Sequence, residues 1–94
     1  MIRSFADKVT EGLYVTGKGG KLPSDIRRAA IRKLDYLDAA VVLEDLRKPP
    51  GNRLEALKGK LKGKHSIRIN DQYRLVFRFK GRDAFDVEIV DYHK

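Results

Sequence analysis

The sequence holds two histidines, His65 and His93, and His93 sits in the closing run Asp91-Tyr92-His93-Lys94 with a carboxylate two residues before it. Residues two apart on a strand share a face, so Asp91 would lie beside the imidazole, orient it and raise its basicity. Imidazole titrates near working pH, at about 6.5 when unperturbed, which suits it to moving a proton on or off a substrate oxygen. A polar chain end in solvent with no chemical role is the other reading, and the residues alone leave both open. In a basic protein such a pair fits metal-free RNA cleavage by attack of the ribose 2'-OH on the adjacent phosphate. That reaction needs a proton acceptor, a proton donor for the leaving oxygen, and cations against the charge developing on phosphorus. Arg74 is the best-suited cation, because a guanidinium grips phosphate with two parallel N–H donors where lysine offers a point charge. The absence of cysteine excludes a disulfide, a thiol nucleophile and a Cys-ligated zinc site, and two histidines lend metal catalysis thin support, so no metal and no cofactor is expected.

The charge supports an anionic partner, and its distribution says more than its total. The 94 residues carry 21 Lys+Arg and 13 Asp+Glu, a formal net charge of +8. Residues 1–46 are close to neutral, with eight basic and seven acidic side chains. Residues 47–82 hold twelve basic side chains against Glu55 and Asp71, a local excess of +10. A basic block confined to one segment is the footprint of a phosphate binder, and Arg53, Lys58, Lys60, Lys62, Lys64, Arg68 and Arg78 are its candidates for holding RNA or a ribosome. A solvated surface kept for solubility would look similar. No apolar run reaches membrane-span length, and the opening MIRSFADKV is charged from its third residue. The reading is a soluble, cytoplasmic chain without a membrane partner, folded as one domain over residues 1–94.

The elements that must position these residues follow from periodicity. Met1 to Phe5 reads as a short strand, and Asp7 as the N-cap of a helix with Val9, Leu13 and Tyr14 inward. The stretch Thr16-Gly17-Lys18-Gly19-Gly20-Lys21 lacks the Gly-Lys-Ser/Thr ending of a phosphate loop and reads as a connector. Pro23-Ser24-Asp25 start a second helix whose stripe is Ile26, Ala30, Leu34, Leu37 and Val41, with Arg27, Arg28, Arg32 and Lys33 on the opposite face. Asp38 is expected to cap a further turn through Leu46, ended by Pro49-Pro50-Gly51-Asn52. The period then changes to two. Ile67 and Ile69 alternate with Ser66 and Arg68; Tyr73, Leu75, Phe77 and Phe79 alternate with Arg74, Val76, Arg78 and Lys80; and Phe85, Val87 and Ile89 are expected on one face. Asn70-Asp71-Gln72 and Gly81-Arg82-Asp83 supply the turns. Tyr73 reads as core more readily than as a base-stacking residue, and His65 as structural. The predicted class is α+β, in the order β-α-α-β-β-β, with an antiparallel sheet covered on one face by helices.

The runs PPGNRLEALKG (Pro49 to Gly59), HSIRINDQYRLVFRF (His65 to Phe79) and VEIVDYH (Val87 to His93), with the opening MIRSF, closely resemble the HigB toxins, a branch of the RelE/ParE superfamily. The resemblance runs along nearly the whole chain, and the N-terminal helices are its least distinctive part. It implies a toxin of a bacterial type II toxin-antitoxin system: a ribosome-dependent endoribonuclease that cuts mRNA in the decoding site. Its partners would be the ribosome, mRNA and a HigA-like helix-turn-helix antitoxin, with operator DNA reached only through the antitoxin.

By that resemblance Lys58 and Arg74 would contact the scissile phosphate, Asp91 and His93 would handle proton transfer and its orientation, and Tyr92 would support or stack on the substrate. Glu55 stands where some family members place an active-site histidine; a carboxylate there can accept a proton but cannot act as a cation. Two other readings share the fold: a ParE-like inhibitor of DNA gyrase without nuclease chemistry, and an RNA-binding module or co-repressor acting through its antitoxin.

Overall fold

The computed structural model describes residues 1–18, 20 and 22–91. Helix α1, Lys8–Thr16, begins at Asp7, whose carboxylate accepts from the Thr10 amide at 2.6 Å, and ends at Gly17, whose φ of 76° lets its N–H donate back to the Leu13 carbonyl. Leu13 is buried as expected, but Val9 is exposed and Thr10 takes the inward position. There the Thr10 hydroxyl accepts from the Ile89 amide at 3.0 Å, fastening α1 to the sheet.

Helix α2, Ser24–Ala39, buries the expected Ile26, Ala30, Leu34 and Leu37. It stops before Val41, which is half-exposed, and Ala40 closes the stripe instead. Lys33 departs from the expected exposed face: it is buried at 6% exposure, and burial lowers its pKa. Asp38 also differs from expectation. It accepts from the Ile2 amide at 2.9 Å and from the Tyr14 hydroxyl, joining both helices to the N-terminal segment. The following 3-10 turn, Leu43–Arg47, is held by Asp45, whose carboxylate accepts from the Val41 and Val42 amides. Those two bonds lower its pKa.

The sheet has four antiparallel strands in sequence order: β1 Glu55–Ala56, β2 His65–Arg68, β3 Tyr73–Lys80 and β4 Asp83–Asp91. The two-residue β1 is an addition to the expected set. The expected first strand is reduced to two parallel bridges, Ile2 with Ala84 and Phe5 with Val87. The β2–β3 turn is set by Asn70, whose side-chain oxygen accepts from the Gln72 and Tyr73 amides at 2.9 and 2.7 Å.

One irregularity reorients β4. Its register with β3 slips by one residue between Val76 and Arg78, and Asp86 there has φ of 54°. Such a bulge exchanges the two faces of a strand across it. Ala84 therefore faces inward with Val87 and Ile89, and Phe85 is turned to the other face, contrary to the simple alternation. The inner face packs Ile67, Leu75, Phe77, Ala84 and Val87 against Leu13, Ala30, Leu34, Leu37 and Leu46. Truncating a fully buried leucine in such a core costs about 2–5 kcal/mol. Among the described residues no helix is long and apolar enough to cross a membrane.

Candidate active site

With the helices on one face, the other face of the sheet carries the arginines among Ser66, Glu88 and the apolar Val76, Phe85 and Val90. Register pairs place Glu55 beside Ser66, Ser66 beside Val76, Arg68 beside Arg74, Val76 beside Glu88, Arg74 beside Val90 and Arg78 beside Phe85. Arg68, Arg74 and Arg78 thus lie on one surface. Like charges on register partners are unfavourable, and a carboxylate beside each offsets that cost. Asp71 pairs with Arg68, Glu55 reaches Arg74, and Asp86 lies 3.3 Å from Arg78.

Arg74 is the most constrained of the three, at 8% exposure. Its Nε donates to the Ser66 hydroxyl at 2.7 Å; its Nη2 donates to the Arg53 carbonyl at 2.7 Å and lies 3.4 Å from a Glu55 carboxylate oxygen. The Arg53 carbonyl is aimed by a backbone that few non-glycine residues adopt, with φ of 47°. The preceding residue explains how that conformation is held. Asn52 is fully buried: its side-chain oxygen accepts from Lys33 at 2.5 Å, its amide group donates to the Leu46 carbonyl at 3.1 Å, and its own carbonyl accepts from the Arg68 amide at 2.6 Å. Helix α2 therefore reaches through Lys33 to the loop that fixes Arg74.

The lysines expected to approach the sheet occupy residues 57–64, a loop closed by the Leu57 amide donating to the Lys64 carbonyl at 2.9 Å. Lys58, Lys60 and Lys62 are exposed and Lys64 is partly covered. Gly63, at φ of 94°, passes close to Arg78: a Cβ on it would sit 3.3 Å from Arg78 Nη1. The loop is thereby seated against the arginine face. Arg53 is exposed at its margin.

Asp91 is placed differently. It pairs with Tyr73 in the register, on the face opposite to Arg74, and accepts from Gln72 Nε2 at 3.1 Å. Tyr92 and His93 lie outside the described residues. His65 is on the inner face, its ring stacked with Phe77 at 6.4 Å between centroids, away from the arginine row. Among the described residues no group of three metal-ligating side chains occurs. Sequence reasoning missed Ser66, Asn52 and Lys33. Ser66 was legible as the small polar residue alternating onto the face of Arg68, whereas Asn52 read only as part of a turn and Lys33 only as surface charge.

A family model for the RelE-like toxin of the type II toxin-antitoxin system HigB matches residues 3–93. The chain belongs to the HigB family. Among HigB relatives it is 48% identical to Toxin HigB-1 of Vibrio cholerae serotype O1, over all of this chain and 99% of that protein. It is 32% identical to Endoribonuclease HigB of Proteus vulgaris, over 99% of this chain and all of that one. The HigB fold is also that of solved structures titled as YoeB-YefM complexes from Staphylococcus aureus, with TM-scores of 0.59 and 0.61 at 19% identity over 100% of this chain and 99% of theirs. The expected α+β, RelE-like class therefore holds.

Proposed function

We propose that this HigB-family toxin is a ribosome-dependent, metal-independent endoribonuclease that cuts mRNA in the decoding site and so stops translation in the cytoplasm. The observation that carries the reading is Arg74, fixed by Ser66 and the Arg53 carbonyl on a surface that also presents Arg68, Arg78 and the lysine loop. A donor held in place before the substrate arrives costs no reorganisation when charge develops on the phosphate. In the reaction the 2'-hydroxyl gives its proton to the Glu55 carboxylate, freed from Arg74 by the incoming phosphate, and the 2'-oxygen bonds to phosphorus as the bond to the 5'-oxygen breaks. Arg74 and Lys58 stabilise the extra negative charge, and His93 gives a proton to the leaving oxygen. Asp91 orients this C-terminal segment and Tyr92 supports the substrate. Glu55 is the anion that Arg74 holds while empty, and an incoming phosphate takes its place.

Arg53, Lys60, Lys62, Lys64, Arg68 and Arg78 hold the ribosome and mRNA through phosphates. A HigA-like helix-turn-helix antitoxin neutralises the toxin and alone reaches operator DNA. Membership of the HigB family and the name of the Proteus vulgaris relative favour this reading over gyrase inhibition. The test is incubation with programmed ribosomes and mapping of new mRNA 5' ends: cleavage within the decoding site is expected, and intact mRNA at toxin excess overturns the reading. A supercoiling assay run alongside reads the gyrase alternative directly.

A further inference from the structure

The bulge in β4 puts an aromatic ring where the core does not need it. Phe85 takes no part in the hydrophobic core cluster and is only partly buried, on the face that carries Arg74 and Arg78. Its orientation is fixed from both sides of the bulge. The Asp86 amide donates to the Ser4 hydroxyl at 2.9 Å, the Val87 amide donates to the Ser4 carbonyl at 3.1 Å, and the Asp86 carboxylate lies 3.3 Å from Arg78 Nε. The left-handed backbone at Asp86 is thus held by the N-terminal segment on one side and by an arginine on the other.

Arg78 is the register partner of Phe85, so the two side chains stand next to each other, with the lysine loop against the guanidinium at Gly63. A ring beside a cation is the combination that binds single-stranded nucleic acid: the ring stacks on a base while the cation, here exchanging Asp86 for the ligand, takes a phosphate. A partner protein's apolar side chain would ask for a broader apolar surface than this ring offers, since Val76 on the same face is fully buried and Arg78, Asp86 and Glu88 stand around it.

We infer that Phe85 and Arg78 form a nucleotide subsite, in which Phe85 stacks on one base of the RNA and Arg78 pairs with the adjoining phosphate. The inference rests on the endoribonuclease reading and extends it to substrate choice. Arg74 and Arg78 are four residues apart on β3, about 13 Å along the strand. The stacked base therefore flanks the cleaved linkage, and the subsite contributes to which sequences are cut.

The test compares Phe85→Leu, Phe85→Tyr and the wild-type chain on programmed ribosomes. Leucine keeps the apolar volume without the ring; it is expected to raise half-saturation about 5- to 150-fold, the range of losing one stacked base, and to alter the preferred cut sites. Tyrosine keeps the ring and is expected to restore both. Because the chain has no tryptophan, Phe85→Trp adds a single reporter. Its fluorescence is expected to be quenched by a single-stranded RNA oligonucleotide, whereas Val15→Trp, on the exposed side of α1, is not. Wild-type half-saturation and cut sites in Phe85→Leu, or no quenching at Phe85→Trp, overturn the inference. If the wild-type chain leaves ribosome-bound mRNA intact, the endoribonuclease reading falls, while quenching still reports the subsite independently.

Discussion

Arg74 and Asp91 stand on opposite faces of the sheet: β3 pairs Arg74 with Val90 and Tyr73 with Asp91. Asp91 is engaged there by Gln72 Nε2 at 3.1 Å, at the point where the chain leaves β4. A carboxylate on that face is separated by the sheet from a phosphate that Arg74 would hold. Asp91→Asn keeps an acceptor oxygen for Gln72, and its cleavage rate is expected to fall less than tenfold, whereas His93→Ala, which removes a proton-transfer group, is expected to lose about 10²- to 10⁴-fold. Single-turnover cleavage on programmed ribosomes measures both, and equal losses would remove the distinction.

Arg74→Lys keeps the charge but not the fork that reaches Ser66, Arg53 and Glu55. The cleavage rate is expected to drop about 10²- to 10³-fold, the usual cost of one preorganised donor, with ribosome binding retained. Leaving the Ser66 hydroxyl and the Arg53 carbonyl underpaired is expected to cost about 1–3 kcal/mol in denaturant unfolding. An Arg74→Lys variant that cuts at the wild-type rate would show that a point charge suffices.

The exposed lysines make a prediction about salt. Each phosphate contact adds to the slope of log affinity against log salt, so Lys60→Ala and Lys62→Ala should each flatten that slope by about 0.7 to 0.9. Ribosome and mRNA affinity measured across a salt series checks this. An unchanged slope would assign these lysines to solubility.

Tyr14 contributes to the fall of stability at alkaline pH. Burial, and then the hydrogen bond to Asp38 with the charges of Asp38 and Asp35, push its pKa from 10.0 up to about 12. Between those values the unfolded chain has lost the phenolic proton while the folded chain retains it, so unfolding is favoured as pH rises. The contribution is complete below about 10 and gone above about 12. Tyr14→Phe should therefore lose less stability across this window than the wild type in urea titrations. Lys33 acts in the opposite sense: its lowered pKa makes stability rise with pH just below 10.5.

Local spacing along the sequence was enough for both helices, the three longer strands and the place of the charge, but not for β1 or for the reduction of the first strand to two bridges. Stripes at helical spacing in α2 and two-residue alternation in β3 are local properties, and Ile26, Ala30, Leu34, Leu75 and Phe77 all face where their spacing placed them. The basic segment of residues 47–82 likewise needs only counting. Tertiary structure decided what depends on partners far along the chain. One bulged residue at Asp86, secured by Ser4, exchanged the faces of β4 and delivered Phe85 to the arginine row. Lys33 became a buried donor because Asn52, nineteen residues later, offers it an acceptor. Arg74 became a fixed cation because Ser66 and Arg53 hold it. Periodicity reads one strand or helix at a time, whereas register, bulges and buried hydrogen bonds are settled only when separate segments meet.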